Sequence, residues 1–298
     1  MLKVIFDCDN TMGIYGKDVD DGLALLYLLG SSQVNLLGVT TTYGNSNIED
    51  VYENTVKMLR EDLGIKHIPV LKGAPGKESR NSEAALFLAQ SAAKYPGEIT
   101  ILATGSLTNL YAAYELDKNF FNNIKKIVLM GGITEPLIIN GKNLDELNFS
   151  CDAEATCEIL KSGCRVGIMT GHLCLQAYFS ENEFNTLKRN HESNAYKYIF
   201  EKIEPWHQFI KGEFGIDGFY NWDIVAAVYM TNREVFEENI VRIKSTAKDL
   251  ERGYIVIDSQ EGSFIDIPQR IVDKEKFNEL VFNAWNSVKL NNNKSKEV

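Results

Sequence analysis

Short apolar runs alternate with amphipathic stretches along most of this chain, and that alternation narrows the fold more than any other feature. Lys3–Phe6, Val34–Thr41, His67–Leu71, Ile99–Ala103, Lys126–Met130 and Arg165–Met169 have the length and composition of buried strands. Between them, Asp21–Leu29, Ile48–Leu63, Ser82–Lys94, Leu107–Leu116 and Asp152–Ser162 read as helices. Such an order predicts an α/β fold: an open, mainly parallel, Rossmann-like sheet flanked by helices. No composition break divides the 298 residues, so one domain is expected over 1–298, with a helical insertion at about 181–211 on the sheet edge or over the site. Tyr254–Asp258 and Ser263–Ile267 read as a hairpin around Gln260-Glu261-Gly262, and the polar tail Leu290–Val298 is expected to fray.

A formal net charge of −10 argues against a protein that grips nucleic-acid backbones, though a single nucleoside remains an acceptable ligand. The five cysteines have no CxxC spacing, and an odd number predicts free thiols in a reducing, cytoplasmic setting. The apolar start is short, carries Lys3 and runs into acidic residues, so neither a signal peptide nor a membrane span is expected.

Polar motifs cluster where the strands should end. Asp7, Asp9, Asp18, Asp20 and Asp21 follow the first strand, Thr40-Thr41-Thr42-Tyr43-Gly44-Asn45 closes the second, and Thr104-Gly105-Ser106-Leu107-Thr108-Asn109 the fourth. Gly131-Gly132 follows the fifth, and Trp222-Asp223 opens an apolar helix. In a parallel sheet these loops share one rim, the edge at which open α/β sheets bind ligands. Like charges packed closely call for a hard cation, a shared proton or solvent.

The aspartate-rich loop ending in Asp20-Asp21, TGSLTN from Thr104, VLMGG ending at Gly132, ELN from Glu146 and Trp222-Asp223 resemble, in that order, the inosine-uridine-preferring nucleoside hydrolases. The ordered match runs from about Lys3 to Met230. The resemblance implies calcium-dependent hydrolysis of the N-glycosidic bond of ribonucleosides, within the nucleoside hydrolase fold. It implies a calcium ion held by Asp9, Asp21, the backbone carbonyl of Thr104 and Asp223, an all-oxygen set suited to a hard cation. Asp9 would be the general base for water, Asp20 would hold the ribose 2′-hydroxyl, and Asp7 would brace the loop. Asn45, Met130, Asn140, Glu146 and Asn148 would be the further ribose contacts. Family members form dimers or tetramers, so a homo-oligomer is expected. Cleavage passes through an oxocarbenium-like sugar, which nearby carboxylates stabilise.

Two departures from the family pattern stand out. The usual compact Pro-Gly turn is replaced by Asn10–Val19, which makes Asp18 a rival to Asp20 or Asp21 in alignment. Trp222 stands where many members carry a histidine, as in the purine-preferring subgroup, in which tryptophan stacks on the base; purine nucleosides are therefore slightly favoured. Two alternatives stay open at this point. Asp7-Cys8-Asp9-Asn10-Thr11 also fits the D-x-D-x-T pattern of haloacid-dehalogenase-like magnesium phosphatases, with Asp7 as nucleophile. The other is a nonhydrolytic nucleoside- or calcium-binding protein.

Overall fold

The computed structural model describes residues 1–190 and 192–290. The tail expected to fray therefore lies outside the described residues from 291 onward. The strands are β1 (Leu2–Cys8), β2 (Val34–Thr41), β3 (Val70–Leu71), β4 (Ile99–Ala103), β5 (Ile124–Met130), β6 (Leu137–Ile139), β7 (Lys142–Leu144), β8 (Val166–Met169), β9 (Tyr178–Ser180), β10 (Gly218–Tyr220), β11 (Ile240–Ile243), β12 (Ile257–Asp258) and β13 (Ser263–Asp266). Nine of them form one sheet in the order β12-β11-β13-β8-β5-β4-β1-β2-β3. Only β11 runs against its neighbours, so the sheet is mainly parallel, as the alternation predicts.

Side chains on β1 alternate between two cores, as a strand buried on both faces requires. Val4, Phe6 and Cys8 join Leu23, Leu26 and Trp285 on one side, while Ile5 joins Ile101, Leu110 and Ile127 on the other. The Trp285 indole N–H donates to the Leu23 carbonyl at 3.0 Å, which satisfies its only polar atom inside that core.

From β1 the chain first builds outward through β2 to β3, then crosses to β4 and continues through β5 to β8. The reversal lies between β1 and β4, and a crevice opens there beyond the carboxyl ends of the strands. Register fixes what borders it: Asp7 pairs with Thr40 on one side and Ala103 on the other.

Two expectations change. The hairpin near the end is not one, because β11 lies between β12 and β13 and pairs antiparallel with both. Ile240–Ile243 is short and half-exposed, so its sequence carries little strand signal. The helix expected over Ile48–Leu63 is α-helical only to Lys57, then widens into a π-helical turn, Met58–Asp62. There the Arg60 guanidinium binds the carbonyls of Ile65 and Ile68.

In the stretch expected to be helical stand Glu181–Arg189, started by a capping box of Ser180 and Glu183, and Asn194–Phe214. The second helix reaches the β6–β7 hairpin, where Asn140 and Lys142 bond to its last turn. No helix among the described residues is long and apolar enough to cross a membrane.

Candidate active site

Asp20 and Asp21 occupy the first turn of the helix Asp20–Gly30, and Asp223 the first turn of Trp222–Thr231. These two helices pack together, so two positive helix ends converge on one carboxylate cluster. Carboxylate oxygens of Asp20, Asp21 and Asp223 all lie within 4.8 Å of one another, and the three residues are between 1% and 6% exposed.

Asp9, fully buried, adjoins them from the end of β1. The Asn45 backbone N–H donates to Asp9 Oδ2 at 2.5 Å, and the Asn45 carboxamide lies 3.5 Å from both Asp9 Oδ1 and Asp21 Oδ2. Thr104 donates through Oγ1 to Asp21 Oδ1 at 2.6 Å, while its carbonyl accepts from the Asn148 side chain at 2.9 Å. Asn148 also donates to the Met130 carbonyl at 3.1 Å, which links the ends of β4 and β5.

Burial raises these carboxyls, and for Asp20, Asp21 and Asp223 the charge of neighbouring carboxylates adds to it. Asp9 is pushed up to about 6 and Asp18 to about 7, while Asp20, Asp21 and Asp223 are held well above the ordinary range. No cationic side chain figures among the causes of these shifts. Asp223 Oδ2 is buried with no hydrogen-bond partner. An orphaned anionic oxygen amid other buried carboxylates suits a hard cation, for which oxygen is the preferred donor.

Asp7 is different. Its Oδ1 accepts from Thr40 Oγ1 at 2.5 Å and from Asn109 Nδ2 at 2.9 Å, and the side chain is 0% exposed. Asn109 also donates to the Thr41 carbonyl at 2.8 Å, so Asp7 ties β1, β2 and the start of the helix Thr108–Leu116 together. That network gives Asp7 the bracing place between strands that the resemblance implies.

A cavity of about 190 Å³ opens above the cluster. Asp20, Asn45, Thr104, Met130, Glu146, Asn148 and Trp222 line it, with Leu137 and Leu144 of the hairpin. A smaller apolar cavity of about 90 Å³ adjoins it, walled by Trp206, Ile210, Phe214, Phe219, Tyr220 and Trp222. Asp18, Leu144 and Trp222 border both. The Glu146 carboxylate is held by the backbone N–H groups of Gly132, Phe149 and Ser150 at 2.9–3.2 Å, and burial raises its pKa despite them.

Most residues expected to contact substrate thus reach one cavity, but Asn140 does not. It is exposed on the turn between β6 and β7 with φ +46°, and its carboxamide donates to the Phe214 carbonyl at 2.7 Å. Its place in the fold is the junction of hairpin and helix. Asp18 and Trp206 are among the wall residues that sequence reasoning did not assign. Asp18 carried a signal, since it stands two positions before Asp20; Trp206 carried none beyond lying in the inserted helix. His207 packs tilted against Phe184, with ring centroids 4.3 Å apart, and its Nε2 lies 3.1 Å from Asp217 Oδ1.

The family model described as inosine-uridine preferring nucleoside hydrolase matches residues 4–287. The chain is 28% identical to uridine nucleosidase 1 of Arabidopsis thaliana over 82% of this chain and 78% of that protein. It is 26% identical to the inosine-uridine preferring nucleoside hydrolase of Crithidia fasciculata over 59% of this chain and 62% of that one. Among solved structures, the purine-preferring ribonucleoside hydrolase from Gardnerella vaginalis superposes with a TM-score of 0.82 at 21% identity, covering 96% of this chain and 98% of that one. A plant nucleoside hydrolase gives a TM-score of 0.82 at 22% identity, over 96% and 99%.

Proposed function

The chain belongs to the inosine-uridine preferring nucleoside hydrolase family and is a hydrolase acting on N-glycosyl compounds, and from that premise we propose how its residues cleave ribonucleosides and which cation they hold. The observation that carries the reading is the buried cluster of Asp9, Asp20, Asp21 and Asp223, which the cavity lined by Asn45, Thr104 and Trp222 reaches at Asp20. Calcium is the cation proposed, with Asp9, Asp21, Asp223 and the Thr104 carbonyl as its oxygen ligands. When bound, it fixes the two vicinal ribose hydroxyls and favours the ionised carboxylates. Asp20 takes the 2′-hydroxyl, and Asn45, Met130, Glu146 and Asn148 surround the rest of the sugar.

Asp9 is the catalytic base. It removes a proton from the attacking water as the C–N bond breaks, and the flanking carboxylates stabilise the positive charge that develops on the sugar. The short N–H bond from Asn45 fixes Oδ2, while Oδ1 has only the long 3.5 Å contact from the Asn45 carboxamide and is the oxygen that takes the proton. The base leaves across Trp222 into the smaller cavity, where its ring meets aromatic and aliphatic side chains.

A slight purine preference is part of this reading. It is supported by Trp222 on the wall of both cavities; one protein of the same fold is named a purine-preferring ribonucleoside hydrolase. Relatives named uridine nucleosidase make pyrimidine turnover an expected activity as well. A cytoplasmic homo-oligomer, dimer or tetramer, completes the proposal; the five free cysteines suit a reducing compartment.

The test is release of free base and ribose from inosine, adenosine, guanosine, uridine and cytidine with and without calcium. Turnover that chelation abolishes and calcium restores is expected, with 2′-deoxynucleosides poor. Turnover that is indifferent to chelation would remove calcium from the mechanism.

A further inference from the structure

The segment that replaces the compact first loop is internally braced. Ile14 N–H donates to the Thr11 carbonyl at 2.9 Å, Lys17 N–H to the Ile14 carbonyl at 3.2 Å, and Thr11 Oγ1 to the Asp18 carbonyl at 2.9 Å. Asn54, from the next helix, donates to the carbonyls of both Asn10 and Met12 at 3.2 Å. A Cβ on Gly22 would come within 2.4 Å of Met12, so this loop is packed onto the helix that carries Asp20 and Asp21. It is built as a strut.

One side chain on that strut reaches the active site. The half-buried Lys17 donates through Nζ to the Asn45 carbonyl at 2.8 Å. Asn45 is the residue whose N–H holds Asp9. On its other side, a Cβ at Gly44 would stand 2.1 Å from Asp9 Oδ2, so the chain there is already pressed against that carboxylate.

We propose that Lys17 is a positioning residue for Asp9: by clamping the Asn45 carbonyl it holds residues 44–45 against Asp9 and sets the direction of its carboxylate. The role rests on Asp9 being the base, as proposed above. The clamp acts through geometry, since the ammonium is bonded to a peptide oxygen and supplies no counter-charge contact to the aspartates.

The experiment compares Lys17→Met, Lys17→Arg and Tyr15→Ala in the full chain with calcium. Tyr15, on the same loop, is 81% exposed and packs edge-on against Phe209 at 6.4 Å, so its removal tests the loop without the clamp. Two readouts are taken: kcat and KM for ribonucleoside hydrolysis, and amide hydrogen exchange over residues 43–46. Lys17→Met is expected to lower kcat about ten- to hundred-fold while KM changes less than about three-fold. Exchange over residues 43–46 should quicken about ten-fold or more. Lys17→Arg should restore most of both, and Tyr15→Ala should match wild type in both. Unchanged kcat and exchange in Lys17→Met would overturn the proposal, and a rise in KM alone would make Lys17 a substrate contact instead. If Lys17→Met does not fold, Lys17→Gln is read by the same criteria. A wild-type protein that releases no base defeats the parent reading, while the exchange comparison still decides whether Lys17 holds Asn45.

Discussion

Calcium and protons should compete for the same carboxylates, and the competition can be read from melting temperature. In the ion-free protein the raised carboxyls bind protons in the folded state at pH values where the unfolded chain has released them. Stability from such a group is fully present below its ordinary pKa and is lost as pH rises through the folded value. For Asp9 alone, raised from 3.8 to about 6, that loss is of order 3 kcal/mol between pH 4 and pH 8. For a chain of 298 residues the entropy of unfolding is about 0.6 kcal/mol/K, so Asp9 moves Tm by about 5 °C. Asp20, Asp21 and Asp223 shift the same way and add to it. Calcium at about 100 times its Kd adds back about 2.7 kcal/mol, or about 4 °C, and only where the carboxylates are ionised. Melts are recorded by circular dichroism at pH 5, 6, 7 and 8, with chelator and with calcium. The gap between the two series should widen steadily from pH 5 to pH 8. Using the gap cancels the general self-repulsion of a chain with net charge −10. A constant gap, or none, would refute the argument that the cluster is a cation site closed by carboxylates.

Asp9→Asn should reduce kcat at least about a thousandfold with the fold retained, measured by base release and circular dichroism; smaller losses would place the base elsewhere. Trp222→Ala is expected to cost purine nucleosides about ten-fold in kcat/KM and pyrimidine nucleosides less, because a larger ring loses more stacking; equal losses would remove the purine lean. Gly253→Ala should lower Tm by several degrees and raise KM. Residue 253 has φ +69°, and a Cβ there meets Glu146 Oε2 at 2.2 Å. An unchanged Tm would show that Glu146 can yield without cost.

The parts of the fold legible in the sequence were those with strong local periodicity. β1, β2, β4, β5 and β8 are continuous apolar runs because helices cover both faces of the sheet, and such runs stand out. β11 was missed because an edge-side strand exposing Ile240 at 58% has no buried stripe to betray it. Without it, β12 and β13 looked like each other's partners. The π-helical turn was invisible for another reason: it depends on Arg60 finding the carbonyls of Ile65 and Ile68, a contact no helical pattern records.

The site divides in the same way. Asp9 and Thr104 follow strand ends directly, Asn45 stands in the loop after β2, and Asp20 and Asp21 open the helix after β1, so the topology that places the strands also places them. Asn140 belongs to a hairpin whose position is set by a helix some seventy residues later, through its bond to the Phe214 carbonyl. Trp206 reaches the wall of the smaller cavity only because the helix Asn194–Phe214 lies where it does. Asp18 looked like a competitor for its neighbours' places, yet it has a place of its own between the two cavities.

The two helix ends that face each other across the carboxylate cluster belong to opposite ends of the chain, one starting at Asp20 and the other at Trp222. During synthesis, β1 and the first helix leave the ribosome long before Asp223 is translated. A truncated or stalled chain that stops short of residue 223 therefore carries Asp20 and Asp21 without the third carboxylate. If the cluster takes the proposed cation, capture would wait for Asp223, and the ion would tie the first helix to one made some two hundred residues later.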